Sequence, residues 1–378
     1  MPRDEPRTTP SDGPPLGSAV DAGASYRARA RVPGLALLVV LAGGFLTAVT
    51  SPALRSPPEA SVLDGAWTSA LEAELMEQTV LGSAATAAWG VIDLTVFGQG
   101  LPGVLVGSEG WLFTTEEFAA SEVDARFTTP APIDEIRSVH ERLAQDGVEL
   151  FVVLVPAKAR VHDASLGRYV LPADAEARYG VLRSALREVG VRVVDGADAM
   201  AHLPEGDPRF LRTDTHWTPA GARAVAERTA ERIGRAVAGA PWLGRTPYRI
   251  ESRATLRVEG DLLAFVPLGP FADAVGPPPD RIATFGAVRE GGAGGDLFGA
   301  PDLPVTLVGT SYSADERWGF ADALREALGA DVLVAASEGA GPFDPMRSYL
   351  GGEAYRSTPP DVIVWEVPER YAWPEVGW

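Results

Sequence analysis

Short apolar runs alternate with amphipathic stretches through most of the chain beyond residue 101. Apolar runs with the length and β-branched content of buried strands occur at 150–155, 191–194, 305–308, 332–335 and 362–367. Helical periodicity occurs at 132–145, 174–189, 219–236 and 320–328. Strands that alternate with helices predict an α/β fold with a mostly parallel, doubly wound sheet flanked by helices, joined by right-handed crossovers.

Two stretches depart from this alternation. Residues 104–113 (VLVGSEGWLF) predict two short strands around a glycine turn, as in a hairpin. Residues 240–300 are rich in Gly and Pro and contain a strand-like piece, YRIESRATLRVEG, so we interpret them as an insertion. The helix at 219–236 has clear start signals, because Thr218 suits the N-cap and Pro219 suits the first helical position.

The amino-terminal hundred residues predict a membrane anchor. Residues 1–31 are rich in Pro, Gly, Ser and charge, which predicts a disordered cytoplasmic tail. Residues 32–54 carry no charged side chain and can cross a bilayer core of roughly 30 Å. Arg27, Arg29 and Arg31 precede this run, so the positive-inside rule places the rest of the chain outside the cytoplasm. Residues 55–100 then form a spacer and a helical segment before a domain at 101–378.

Two other interpretations of residues 32–54 stay open. The run is also compatible with a buried core helix or with a cleaved signal peptide. The long leading region and the lack of a small-x-small cleavage site favour an uncleaved, single-pass anchor. In a bacterium this predicts a protein of the inner membrane with its catalytic domain in the periplasm.

Charge and cysteine content narrow the function classes. The net charge of −18 argues against nucleic-acid binding and against docking on anionic lipid headgroups. An anionic polymer substrate would need a local basic patch. The chain has no cysteine, which removes disulfides, thiolate metal sites and a cysteine nucleophile.

An aspartate, a histidine and a serine form the candidate chemical site. His216 is one of only four histidines, follows Asp214 by two residues and lies just before a helix start. Ser311 lies three residues beyond the strand at 305–308, after Gly309, which allows a sharp turn. A serine nucleophile needs a base, and the base needs an orienting acid. The alternatives are that Asp214 caps a turn, that His216 packs under the helix and that Ser311 lies in an ordinary loop. A metal site is less well supported, because no other His or Cys cluster offers ligands.

Six motifs occur in a fixed order along the chain. They are VLVGSEGWLF (104–113), VPAK (155–158), TDTHWTPAG (213–221), VGTSYS (308–313), EGAGP (338–342) and WEVPERY (365–371). On these motifs the chain resembles, over roughly residues 60–378, the alginate O-acetyltransferase family, whose catalytic domain is SGNH-hydrolase-like. The anchor resembles that of the membrane-bound branch, and the carbohydrate-binding module of the other branch is expected to be absent.

The resemblance implies roles for the three candidate residues. Ser311 would carry a transient acetyl group, His216 would act as general base and then general acid, and Asp214 would orient His216. The order of the motifs is reversed relative to ordinary SGNH hydrolases, as in this family. No cofactor or metal is implied, and the implied partner is a multi-spanning membrane acyltransferase that delivers the acetyl group.

Six further residues are candidate substrate-binding positions. Backbone N–H groups of Ser311 and of the Gly339–Gly341 loop are candidate oxyanion donors. The other candidates follow strands or adjoin His216: Lys158, Trp217, Arg370 and Tyr371. Plain turns, a surface salt bridge and buried packing are the alternatives for these positions.

The leading hypothesis is therefore an O-acetyltransferase that acts on an exported polysaccharide. An acetyl esterase with the same residues and a non-catalytic component of a polysaccharide assembly complex are the alternatives. The sequence does not identify the polymer, which is alginate-like or another exopolysaccharide.

Overall fold

The computed structural model describes residues 42–43, 45–46, 50, 65–71, 79–119, 131–290 and 303–371 of the 378-residue chain. The chain divides into two compact units, residues 1–88 and 89–378. The expected cytoplasmic tail (1–31) and most of the expected anchor (32–54) lie outside the described residues. Within the ranges described, no helix combines the length and hydropathy needed to cross a membrane.

The strands are β1 (Val104–Val106), β2 (Leu112–Thr114), β3 (Glu149–Val155), β4 (Arg192–Asp195), β5 (Tyr248–Val258), β6 (Asp280–Arg289), β7 (Val305–Gly309), β8 (Val332–Ala336) and β9 (Val362–Pro368). The helices are α1 (Val80–Ile92), α2 (Ala131–Gln145), α3 (Lys158–Val161), α4 (Ala173–Glu188), α5 (Gly196–Ala201), α6 (Pro219–Ala236), α7 (Ala272–Val275), α8 (Ser311–Ala314), α9 (Phe320–Leu328), α10 (Phe343–Gly351) and α11 (Glu353–Ser357).

A five-stranded sheet in the second unit has the order β4-β3-β9-β7-β8, and every neighbouring pair is parallel. Its strands are nearly continuous apolar runs because both faces of the sheet are covered. Alternate residues enter different cores: Phe151 and Val153 contribute to one, and Val152 and Leu154 to the other. The predicted parallel α/β fold is confirmed.

Helices cover the two faces of this sheet. The first core also contains Val225 of α6 and Leu324 of α9. The second contains Ile136 of α2, Leu182 of α4 and Met346 of α10. The result is a three-layer arrangement in which all five strands end at one common edge. In such sheets ligands bind beyond the carboxyl ends of the strands, so this edge is the place to look for a site.

Two small antiparallel pairs lie outside the main sheet. β1 and β2 form the predicted hairpin, with Leu105 opposite Phe113. β5 and β6 form a second, longer pair, and their register shifts between Ser252 and Thr255. The strand-like part of the expected insertion at 240–300 is thus this β5–β6 hairpin, with the 3₁₀ turn Asp261–Phe265 between its strands.

Candidate active site

The turn after β7 presents Ser311. β7 ends at Gly309, and α8 begins at Ser311, with Thr310 as N-cap. The carboxylate of Glu366, on the neighbouring strand β9, accepts hydrogen bonds from the Thr310 amide (2.8 Å) and from the Ser313 hydroxyl (3.1 Å). Burial raises the pKa of Glu366, although these hydrogen bonds oppose the shift. The buried carboxylate of Glu366 therefore holds the turn through one backbone amide and one hydroxyl group.

Gly309 leaves room for that carboxylate. A Cβ atom at this position would lie 2.5 Å from Oε2 of Glu366 and 2.9 Å from Oγ of Ser313. The backbone at Gly309 is extended, so the requirement is for space and not for a left-handed conformation.

The loop from Arg212 to Trp217, here called the histidine loop, presents His216. It is closed at its base by an antiparallel bridge between Phe210 and Trp217. Thr218 then caps α6, because its hydroxyl oxygen accepts a hydrogen bond from the Gly221 amide at 3.0 Å. The start signals predicted for this helix are confirmed.

The structure brings Asp214, His216 and Ser311 together in one chain of hydrogen bonds, here called the relay. Oδ1 of Asp214 lies 2.6 Å from Nδ1 of His216, and Nε2 of His216 lies 2.7 Å from Oγ of Ser311. Burial favours the neutral form of Asp214, but hydrogen bonds from the ring and amide of His216 outweigh it and lower the pKa of Asp214. An ionised Asp214 can only accept, so Nδ1 carries the proton and Nε2 is left to accept from Ser311.

Aromatic rings enclose His216. The ring of Trp318 stacks on it with centroids 5.3 Å apart, and the ring of Tyr312 is tilted against it at 4.7 Å. The Tyr312 hydroxyl donates to the carbonyl of Thr215 at 2.5 Å, which ties α8 to the histidine loop. The His216 side chain is 13% exposed, so the relay is largely shielded from water but open at one side.

The expectation that Trp217 binds substrate is wrong. Its side chain is fully buried and packs against Phe320, and its Nε1 donates to the carbonyl of Tyr312 at 3.1 Å. A ring with no exposed face cannot stack on a sugar. Trp217 is instead an anchor beneath the histidine loop.

The expectation that Lys158 binds substrate is also wrong. The side chain is 1% exposed, and Nζ donates to the carbonyls of Leu112 (2.5 Å), Arg212 (2.9 Å) and Asp214 (2.9 Å). An ammonium has three donors, and all three are used. Burial lowers the pKa of Lys158 to about 8, although the nearby Glu117 carboxylate opposes the shift. The position after a strand was interpreted correctly, but the side chain turns inward to hold the histidine loop.

Arg370 and Tyr371 follow β9 at the carboxyl edge. The Arg370 guanidinium lies between the rings of Tyr312 and Tyr371, with Cζ 5.7 Å and 4.7 Å from their centroids. Nη2 donates to the Tyr371 hydroxyl at 3.0 Å, and Nε lies 3.6 Å from a carboxylate oxygen of Glu116. Within the described residues, Nε and Nη1 are buried and have no hydrogen-bond acceptor. Arg370 therefore keeps donor capacity beside Tyr312.

The glycines of the EGAGP motif form the turn after β8. Gly339 has φ +69° and Gly341 has φ +62°, so both occupy the left-handed region that favours glycine. Gly339 is exposed and Gly341 is half-buried. The other candidate oxyanion donor is the amide of Ser311, which opens α8 and so belongs to a first helical turn, where amides lack intrahelical acceptors. The oxyanion role of both groups stays a prediction.

Four buried or bonded carboxylates near the site escaped the sequence analysis. They are Glu117, Asp261, Asp280 and Glu366. Glu117 accepts from the amides of Lys158 (2.9 Å) and Ala159 (2.8 Å), and burial raises its pKa. Glu366 lies within a motif noted in the sequence, so its position on a strand beside β7 was the available signal. Asp261 and Asp280 come from a segment with no matching motif.

Three side chains at this site have the spacing of metal ligands. Asp214, His216 and Asp261 place three donor atoms within 4.8 Å of one another, a spacing compatible with a cation. Both ring nitrogens of His216 already make hydrogen bonds, to Asp214 and to Ser311. A cation would have to replace one of these bonds, so the arrangement suits proton transfer better than metal binding.

A serine whose hydroxyl reaches a histidine, itself oriented by an aspartate, at the carboxyl edge of a parallel α/β sheet, defines the class of serine acyl-transfer enzymes. Residues 104–369 match the family described as SGNH hydrolase-like domain, acetyltransferase AlgX. The chain belongs to this family.

Individual relatives are similar to this chain over most of their length. The chain is 38% identical over 333 residues to the probable alginate O-acetylase AlgJ of Azotobacter vinelandii, covering 87% of this chain and 83% of that one. It is 35% identical over 344 residues to the probable alginate O-acetylase AlgJ of Pseudomonas aeruginosa, covering 89% and 86%.

Among solved structures, the O-acetyltransferase domain of Pseudomonas putida AlgJ has a TM-score of 0.63 at 36% identity, covering 72% of this chain and 92% of that one. Pseudomonas aeruginosa AlgX has a TM-score of 0.56 at 26% identity, covering 70% and 62%. The expected family and the SGNH-like fold are confirmed.

Proposed function

We propose that the protein is an O-acetyltransferase that moves acetyl groups onto hydroxyls of an exported, alginate-like polysaccharide through an acetyl-Ser311 intermediate. The observation that carries the proposal is the continuous relay from Asp214 through His216 to Ser311. Family membership and the similarity to the probable alginate O-acetylases AlgJ support the reaction and the substrate class.

The mechanism has two half-reactions. In the first, Nε2 of His216 takes the Ser311 proton while Oγ attacks the acetyl carbonyl of a donor, and the imidazolium then protonates the leaving group. In the second, the same nitrogen takes the proton of a sugar hydroxyl while its oxygen attacks the acetyl carbonyl of the acetyl-serine. The bond between that carbonyl and Oγ then breaks, and the imidazolium returns the proton to Oγ, which regenerates Ser311. Asp214 holds the ring in the required tautomer and stabilises the imidazolium that forms in each half-reaction.

The oxyanion of each tetrahedral intermediate needs donors beside Ser311. The amide of Ser311 adjoins the hydroxyl of the same residue and is therefore the first candidate donor. The Gly339–Gly341 turn supplies further backbone N–H groups at the same edge of the sheet. The unused N–H groups of Arg370 lie beside Tyr312, the residue after the nucleophile. Arg370 and Tyr371 are thus candidates to bind a substrate carboxylate or hydroxyl, as the sequence suggested.

The acetyl group must reach this site from a donor. We infer that a multi-spanning membrane acyltransferase supplies it, and that the chain is held at the inner membrane by residues 32–54 with its catalytic unit in the periplasm. The absence of charge in that run supports the anchor. Three apolar side chains at helical spacing near the start of the second unit also support a position close to lipid: Trp89 (61% exposed), Val96 (69%) and Phe97 (51%).

An acceptor experiment tests the proposed reaction. The purified chain is incubated with an activated acetyl ester, with and without an oligouronate, and the products are separated by mass. We expect acetylated oligouronate from the wild type and none from Ser311→Ala. Hydrolysis without acceptor acetylation would favour an esterase, and acceptor acetylation by Ser311→Ala at the wild-type rate would exclude the acetyl-serine mechanism.

A further inference from the structure

The β5–β6 hairpin and its 3₁₀ turn contact the histidine loop through backbone and side-chain groups. Leu262, in that turn, donates its amide to the carbonyl of Thr213 at 3.2 Å. At Gly260 the approach is so close that a Cβ atom would lie 2.0 Å from the same carbonyl oxygen. The segment interpreted from sequence as an insertion is therefore part of the wall of the site.

Asp280, at the start of β6, fixes the first half of the loop. Its Oδ1 accepts from the amide of Arg212 at 2.9 Å. Its Oδ2 accepts from the amide of Thr213 at 2.9 Å and from the Thr213 hydroxyl at 2.8 Å.

Asp261, at the start of the 3₁₀ turn, fixes the second half in the same way. Its Oδ1 accepts from the amide of Thr215 at 2.8 Å, and its Oδ2 accepts from the Thr215 hydroxyl at 2.5 Å. Its own amide donates to Oδ2 of Asp214 at 3.2 Å, so the turn also supports the acid of the relay.

Asp261 differs from Asp280 in its distance to the base. Oδ2 of Asp261 lies 3.9 Å from Nδ1 of His216, the nitrogen that already faces Asp214. Two carboxylates therefore face one edge of the imidazole. A second negative charge at this distance favours the imidazolium over the neutral ring.

We propose that Asp261 is a positioning residue that holds the His216 loop and that its charge, added to that of Asp214, stabilises the His216 imidazolium formed during each half-reaction. The proposal rests on the proposed acetyl-transfer function for its catalytic meaning. Its physical content, the effect of Asp261 on the protonation of His216, stands on the geometry alone.

Other charged groups also surround the ring. Asp214 contacts Nδ1 directly, and the buried carboxylate of Glu366 holds the turn that carries Ser311. The ammonium of Lys158 donates a hydrogen bond to the backbone carbonyl of Asp214. Arg317 lies over the ring of Trp318, with Cζ 4.8 Å from its centroid, and is paired with Asp315. Of the two carboxylates that face Nδ1, Asp214 is buried, whereas 43% of the Asp261 side chain is exposed. Its replacement therefore leaves no buried charge unpaired.

Titration of the histidine rings by NMR tests the proposal without requiring activity. The full-length chain is labelled on the histidine rings, and the His216 signal is assigned by its loss in His216→Gln, since there are only four histidines. We expect the titration midpoint of His216 to be lower in Asp261→Asn than in the wild type, because the imidazolium loses one neighbouring negative charge.

Asp280→Asn is the matched control. It alters the same loop by the same chemical change, but no ion pair joins Asp280 to His216 within the described residues. We expect the midpoint to stay at the wild-type value in Asp280→Asn and to return towards it in Asp261→Glu, which restores the charge. If Asp261→Asn unfolds, Asp261→Ser is measured instead.

Two results would overturn the proposal: an unchanged midpoint in a folded Asp261 variant that lacks the charge, or an equal shift in Asp280→Asn. The pH profile of acetyl-ester turnover gives the catalytic counterpart. Its acidic limb should move to lower pH by the same amount in Asp261→Asn. Wild-type turnover in Ser311→Ala would refute the proposed function, while the NMR midpoints would still decide the role of Asp261.

Discussion

At the scale of single residues, the site depends on side chains that hold other side chains. Ser311 and His216 are the reacting groups of the proposed mechanism, yet Asp214, Glu366 and Lys158 determine where those groups lie. Each of the three is buried and each uses its charge on backbone or ring N–H groups or carbonyls. Removing such a group leaves its partners buried and unsatisfied, which costs more than the bond itself contributed.

Asp214→Asn is expected to reduce kcat for acetyl-ester turnover by about 10³–10⁴-fold. An amide at this position can donate to Nδ1 and so favours the tautomer with the proton on Nε2, which cannot accept from Ser311. Steady-state kinetics with circular dichroism as a fold check provides the measurement. Asp207→Asn, an exposed change earlier in the same segment, should keep wild-type kcat. A loss of less than tenfold in Asp214→Asn would argue against the relay.

Lys158→Met is expected to lower the free energy of unfolding by about 3–5 kcal/mol, because three carbonyls and the Glu117 carboxylate lose a buried cation. The pKa of Lys158 is lowered to about 8 by burial, so the folded state releases this proton before the unfolded chain does. The contribution of Lys158 to the free energy of unfolding therefore increases as the pH rises from about 8 towards 10.5, the ordinary pKa of a lysine. Urea denaturation at pH 7 and pH 9.5 should show the gap between wild type and variant widening. A gap that narrows would contradict the assignment.

At the scale of elements, the turn between β7 and α8 is the most constrained part of the site. It must carry Ser311 at the sheet edge while Glu366 of β9 lies directly beneath it. Lys158, Asp261 and Asp280 hold the histidine loop by hydrogen bonds, and its own Trp217 is anchored on Tyr312. The two elements meet at the hydrogen bond between His216 and Ser311, and Tyr312 of α8 also bonds to Thr215 and Trp217 of the loop.

Gly309→Ala tests the constraint on the turn. The added Cβ would lie 2.5 Å from the Glu366 carboxylate, so either Glu366 or the turn must shift. Because Glu366 holds the turn, we expect either shift to displace Ser311 relative to His216. We expect kcat to fall by about 10²-fold, as for other small displacements of reacting groups, with KM for the ester little changed. Turnover above half the wild-type rate would show that the turn has more freedom than the structure indicates.

Gly180→Ala is the control for that substitution. Gly180 lies inside α4, has no atom within 4 Å of an added Cβ and lies far along the chain from the turn. We expect kcat to be unchanged and the free energy of unfolding to rise by about 0.5–1 kcal/mol, because alanine restricts the unfolded chain and favours helix. Thermal or urea denaturation measures the gain.

At the scale of the whole molecule, the sequence predicted the elements of the sheet but not their order. Buried parallel strands such as β3 and β9 are continuous apolar runs, and their bounds were predicted closely. The order β4-β3-β9-β7-β8 depends on which runs pair across long connections, and periodicity carries no such information. Short helices such as α8 and α10 also escaped prediction, because tertiary contacts fix them.

The same limit explains what was found and missed at the site. Asp214, His216 and Ser311 were identifiable because their motifs adjoin a helix start and a strand end. Lys158 and Trp217 were assigned to substrate because their position at the sheet edge was predictable while the direction of their side chains was not. Asp261 and Asp280 lie in the β5–β6 segment, where only the folded structure reveals the contacts with Thr213 and Thr215.

The central claim is that Ser311 carries the acetyl group, and rapid-quench mass spectrometry after exposure to an activated acetyl ester tests it most directly. The account predicts one added acetyl group on the peptide that contains Ser311 in the wild type, and no addition on that peptide in Ser311→Ala. Acetylation of a different peptide during turnover, or catalytic turnover by Ser311→Ala with no loss of rate, would contradict it.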